Sequence, residues 1–233
     1  MILSPQDWQA IYLSLQLASV TTIILLLLCL PLAQYLSSGQ SWFKHSINAL
    51  CTLPIILPPS VLGFYLLIAF APNSPIGQTL TALNLPSLAF SFTGLVIASV
   101  IYSLPFVLQP LQMALRQLGP RPWEIASTIG LSPVQTFLKI IVPLIKWQIV
   151  TAAVLAFAHT IGEFGVILMI GGNIPGETQV LSVRIYEQVE SLNYEGAHAL
   201  SGLLLGFSFI VLLLLYGLQK RTLKPNRVSQ HEY

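Results

Sequence analysis

Charge is what this chain has least of. Only 8% of its 233 residues are Asp, Glu, Lys or Arg, whereas soluble domains carry about a quarter. With 55% apolar residues, a water-soluble globular domain is excluded and an integral membrane protein is expected. Cysteine is nearly missing as well. Cys29 and Cys51 both lie in or beside apolar runs, so neither a disulfide framework nor a metal-ligand spacing exists. No basic stretch precedes the first apolar run, which Asp7 leads instead, so no cleavable signal is expected. The chain also lacks a G-x-x-x-x-G-K-[S/T] loop, and its polar segments are too short for a nucleotide-binding domain. No Ser–His–Asp set, internal repeat, low-complexity tract or nucleic-acid signature is present.

What is there is long apolar runs. Five of them, at about 11–32, 47–71, 88–108, 149–170 and 197–218, can each cross a hydrocarbon layer of roughly 30 Å as helix. An all-α membrane protein forming one domain over 1–233 is therefore expected. The second run carries Pro54 and the pair Pro58-Pro59 before Ser60. Proline frees carbonyls that lipid cannot satisfy, so this segment should face protein or a water-filled path. Residues 72–87 are uncharged and rich in Pro, Asn and Gly, which reads as a surface loop. Between the last two runs, residues 171–196 are polar and acidic, with an amphipathic middle at 183–189.

Basic residues set the orientation. With five crossings, Lys44, Arg116, Arg121, Lys139, Lys146, Lys220, Arg221, Lys224 and Arg227 share one side, and only Arg184 falls opposite. Asp7, Glu177, Glu187, Glu190 and Glu195 lie with Arg184. The expectation is an outer N-terminus and a cytoplasmic C-terminus.

A short polar interruption between long apolar runs, Arg121 to Pro143, organises the rest. Pro122 suits a first helical turn, Gly130 a left-handed cap, and Ser132-Pro133 the start of a second helix. Helix, glycine turn and helix together make a compact docking knob on the cytoplasmic side. The stretch resembles the EAA motif of ABC-transporter permeases through Glu124, Ala126, Gly130, Ile140 and Pro143. Ile125 and Val142 replace the usual Ala and Leu, both conservatively. The resemblance implies that these residues couple the permease to an ATPase.

Deep in the fourth run, His159 and Glu163 form an ionisable couple separated by one helical turn. In one helix they share a face and can pair. Charge at that depth is costly unless paired or hydrated, which makes these residues either an element of a translocation path or a structural lock. Pro58, Pro59, Ser60, Thr160, Gly162 and Gly165 join them as path candidates. A carboxylate is a poor ligand for an anion, so beside an anionic substrate Glu163 should be neutralised or turned away.

Here the likeness narrows. Gly162-Glu163-Phe164-Gly165 and Gly172-Asn173-Ile174-Pro175-Gly176-Glu177-Thr178-Gln179 look like the signature of molybdate permeases. The opening from Ile2 to Ala10 and the stretch from Leu53 to Leu67 are similar to that family too. The resemblance implies a type I ABC-importer permease fold in a bacterial inner membrane, assembled as a homodimer. It further implies two cytoplasmic ATPase subunits, which bind ATP and Mg, and a periplasmic molybdate-binding protein. No cofactor is implied for this chain. Tungstate and sulfate or thiosulfate are the alternative cargoes. A secondary transporter or channel is the competing class, but the usual internal repeat is lacking and that class gives the knob no purpose. A membrane-embedded protease or transferase is a third, but His159 and Glu163 have no nucleophile or third ligand beside them.

Overall fold

The structure is a computed structural model that describes residues 3–39 and 41–222. The first two residues and most of the basic C-terminal tail, 223–233, lie outside the described residues. Among those described, the elements are helical throughout.

Helix α1 (Pro5–Ser37) starts with a capping box, in which Ser4 and Asp7 satisfy each other's main-chain N–H groups. It continues straight past Pro31. Helices α2 (Trp42–Ile56) and α3 (Pro59–Phe70) meet at 114°, so the stretch 47–71 is not the straight span expected. The cause is local. Leu57 and Pro58 adopt extended backbone, because each precedes a proline whose ring crowds the helical conformation. Ser74 then caps α4 (Pro75–Ala82) through the Gly77 N–H at 2.9 Å. The segment expected as bare loop thus holds a two-turn helix.

Helix α5 (Phe92–Leu118) runs unbroken through Pro105 and Pro110. After Gly119 comes α6 (Arg121–Thr128), then α7 (Pro133–Thr136), a π-turn at Phe137–Ile141, and α8 (Val142–Leu144). The π-turn precedes Pro143, which has no N–H to give and whose ring would crowd a regular turn. A 75° bend at Ile145 leads to α9 (Lys146–Gly162). The fourth apolar run breaks again at Glu163 and Phe164, then resumes as α10 (Gly165–Gly171). The amphipathic middle of the last polar link forms α11 (Leu181–Glu190), and α12 (Tyr194–Thr222) completes the described chain.

Helices α1, α5 and α9 pack together as the central bundle, with α12 against α9 and α11 laid over α12 and α1. Helices α3 and α10, the two short arms beyond the bends, pack on each other and on α5. Their approach is close. A Cβ on Gly63 would stand 2.8 Å from that of Met169, and one on Gly165 would stand 2.9 Å from that of Pro59. Small residues let the backbones meet where lipid offers no hydrophobic drive between helices.

Two apolar clusters fill the interior. One joins Leu25, Cys29, Val107, Leu111, Ile141 and Ala156; the other joins Leu17, Phe70, Leu95, Val166, Ile170 and Val183. Buried polar residues lie between these clusters in sequence: Thr21 on α1, Ser99 and Ser103 on α5, Thr160 on α9 and Glu163 at the break that follows it. The site lies at this level of the chain.

Candidate functional site

A cavity of about 600 Å³ opens where the two bends face each other. Pro59 and Ser60 at the start of α3 line it, as do His159, Gly162, Glu163 and Gly165 at the break between α9 and α10. Residues a hundred positions apart in the chain, singled out for their prolines and charges, thus share one space. Tyr102 and Phe164 complete the wall. Pro58 and Thr160 are not part of the lining: Pro58 stands one residue behind, and Thr160 is buried with its hydroxyl 3.3 Å from that of Ser103.

His159 and Glu163 do not form the expected pair. Glu163 has left the helix, with φ −68° and ψ 128°, which removes the shared face that a regular turn would have provided. His159 instead places Nδ1 2.8 Å from Ser103 Oγ. Its ring stacks on Phe106 with centroids 4.0 Å apart and leans on Tyr102 at 5.1 Å. Glu163 is 4% exposed, and both carboxylate oxygens are shielded and without a hydrogen-bond partner among the described residues. The Ser99 hydroxyl lies beside them but short of hydrogen-bond geometry. Ser103, Tyr102 and Phe106 were invisible as site residues because they sit in an apolar run with no motif around them.

The stretch after α10 is fixed by bonds among its own side chains and to α11. Thr178 Oγ1 donates to the Gly171 carbonyl at 2.6 Å and accepts from the Ile174 N–H at 3.0 Å. Gln179 Nε2 donates to Asn173 Oδ1 and to Glu187 Oε2, each at 2.8 Å. Arg184 donates to Asp7 at 2.9 Å and to Glu187 at 2.6 Å, clasping α11 to the start of α1. Burial alone would pull the Arg184 guanidinium down, yet its bonds to Asp7 and Glu187 outweigh that and hold its pKa above the ordinary arginine value. The side chains of Thr178 and Gln179 in the polar signature Gly172–Gln179 thus bond within the loop, to Gly171 and to Glu187.

The knob stands apart from this cavity. Leu131 N–H reaches the Ala126 carbonyl and Gly130 N–H the Ser127 carbonyl, both at 3.1 Å, which is the Schellman closure that needs a left-handed residue. Gly130 supplies it with φ +77°. Ser132 and Gln135 form a capping box for α7. Ala126 is fully buried and Trp123 packs on the first apolar cluster, so α6 is pinned from beneath. Glu124 is exposed, as are Ile125, Ile129, Val134 and Leu138. Ile140 is half-buried and Pro143 exposed. Ile125 and Ile129 thus form an exposed apolar surface on a short polar segment.

Bent apolar spans around a cavity that carries Ser60, His159 and Glu163, with a short helix outside the bundle, define the membrane subunit of a transporter. The chain belongs to the family of binding-protein-dependent transport system inner membrane components, whose sequence profile matches residues 30–227. It is thus a multi-pass inner-membrane transport component. It is 52% identical over 216 residues, 93% of this chain and 96% of the relative, to the molybdenum transport system permease protein ModB of Azotobacter vinelandii. ModB of Mycobacterium tuberculosis is 35% identical over 91% of this chain and 80% of its own. The sulfate transport system permease protein CysT of Escherichia coli is 30% identical over 94% and 79%. Among solved structures, a chain of a bacterial alginate ABC transporter superposes with a TM-score of 0.75 at 18% identity, covering 95% of this chain and 81% of that one. The fold is that of type I ABC-importer permeases.

Proposed function

We propose that this chain is the membrane permease of an ATP-driven importer for molybdate, with tungstate as a near-isosteric cargo. The observation that carries the cargo is the 52% identity to a molybdenum permease across nearly the whole of both chains, against 30% to a sulfate permease. In this reading two copies enclose the path, and lipid and the second copy cover the outer faces of α12, where Leu205, Phe209, Ile210 and Leu213 are exposed. A periplasmic binding protein delivers the oxyanion to the end of the bundle that carries Asp7 and Arg184. Two ATPase subunits, which hold ATP and Mg, seat on α6 and on Ile125, Ile129 and Val134. The N-terminus is then periplasmic and the C-terminus cytoplasmic.

The chain's own chemistry is binding and coupling. At the start of α3 Pro59 has no N–H and Val61 and Leu62 donate to the Pro58 carbonyl, so Ser60 is the main-chain donor left over, and it lines the cavity. Glu163 keeps its oxygens out of the cavity's solvent, so a dianion can pass without meeting them. The knob transmits the ATPase's closure to the bent helices as a rigid-body movement.

The test is uptake of isotopically labelled molybdate by cells whose own high-affinity system is deleted. They would express this chain together with a partner ATPase and a periplasmic binding protein. Saturable uptake competed by tungstate and not by sulfate supports the reading. Uptake competed by sulfate alone replaces the cargo.

A further inference from the structure

Two further cavities adjoin at the α6 end of the bundle, with volumes of about 430 and 410 Å³. They share Ser37, Gly39 and Arg116 in their walls. One extends to Pro120 and Trp123 at the start of α6; the other extends to Lys44, His45 and Asn48 at the start of α2. Neither wall contains a carboxylate.

The donors are aimed by bonds that can be traced. Asn48 Oδ1 accepts from Gln112 Nε2 at 3.0 Å, which leaves the Asn48 amide N–H₂ to donate elsewhere. Lys44 Nζ is held by the Ser38 carbonyl and hydroxyl and lies 4.5 Å above the Tyr35 ring; an ammonium has a third N–H to offer. Arg116 makes no ion pair among the described residues. Cations at a span's inner end are common and usually meet water or lipid. These differ in that they converge, from separate helices, on one concave space with no opposing charge among the described residues of its wall. That combination of a planar guanidinium, a point cation and a neutral amide donor matches an oxyanion.

We propose that this cleft binds an oxyanion, with Arg116 and Lys44 as its charge partners and Asn48 as a neutral donor. Two sources supply such a group: a free tetrahedral dianion, and the phosphate of an anionic lipid headgroup. Arg116 also lines the adjoining cavity, whose wall includes Pro120 and Trp123, so occupancy reaches the seat of α6 through Arg116. The choice of molybdate as the free probe rests on the function proposed above; the cleft itself does not depend on the cargo.

The experiment uses the purified full chain in two arms. In nanodiscs of phosphatidylcholine alone, molybdate bound at increasing concentration is read by elemental mass spectrometry. In mild detergent, anionic phospholipid retained by the protein is counted by native mass spectrometry. Arg116→Ala and Lys44→Ala are each expected to weaken one of these by about tenfold, the equivalent of one lost charged hydrogen bond. Arg116→Lys should lose less, and it serves as the readout if the alanine variant fails to insert. Loss in the first arm identifies the free dianion, and loss in the second the headgroup. Unchanged binding and unchanged lipid retention across all three variants overturns the proposal. Because no uptake is measured, a wrong cargo would show in the cell assay while the lipid arm still reports on the cleft.

Discussion

The hydroxyl of Ser182 donates to the main-chain carbonyl of Glu163 at 2.5 Å. It links the start of α11 to the break in the fourth apolar run. A carbonyl released by a broken helix at membrane depth needs a protein partner, and α11 provides it. Since α11 is also clasped to α1 through Arg184 and Asp7, the break is tied to the end of the bundle where those residues meet.

Ser182→Ala is expected to leave the Glu163 carbonyl without its partner, at a cost of about 1–3 kcal/mol. The permease should still insert and bind its ATPase, with a lower melting temperature in detergent and reduced uptake. Unchanged melting together with unchanged uptake would show that the bond does not hold the break.

The bonding of His159 to Ser103 makes a prediction about coupling. In a double-mutant cycle, Ser103→Ala and His159→Gln should be strongly non-additive in stability, whereas His159→Gln and Glu163→Gln should add to within about 0.5 kcal/mol. Glu163→Gln alone should assemble normally and lower uptake several-fold, since it puts an amide in place of the buried, unpartnered carboxyl at the break with hardly any change of shape. A large His159–Glu163 coupling in thermal unfolding would restore the direct pair.

At Gly130 a side chain would meet nothing within 4 Å on this chain, but φ is +77°. Gly130→Val is therefore strained by about 1–3 kcal/mol and adds bulk on the side where a partner seats. Insertion should be normal, while ATP hydrolysis in reconstituted vesicles loses its stimulation by loaded binding protein. Glu124→Ala should be milder, since it removes one exposed polar contact and leaves the turn intact. Wild-type coupling in the valine variant would mean that α6 does not transmit.

Topology is checked by single cysteines in a background without Cys29 and Cys51. Position 41, beside Lys44, should be shielded from an impermeant reagent in intact cells. Positions 78 and 191 should react. Labelling of 41 from outside would invert the orientation drawn from the basic residues.

Composition and the placement of Lys and Arg were enough to expect a multi-pass helical membrane protein. Glu124, Gly130 and Ser132-Pro133 were enough to place the knob. These features are local. A positive-φ glycine, a serine cap and a run long enough to span are properties of a few consecutive residues. The same locality explains why Pro58-Pro59 pointed to a disturbed helix, although not to a bend of 114°. Tertiary structure decided the site. The spacing of His159 and Glu163 implied a pair only on the assumption of an unbroken helix, and that assumption fails where Ser182, from a later element, takes the Glu163 carbonyl. Ser103 could not be recognised as the partner of His159, because nothing in an apolar run marks which hydroxyl a neighbouring helix will meet. Which groups face each other across helices depends on packing and on the direction of each bend, and neither is written in the spacing of residues along one segment.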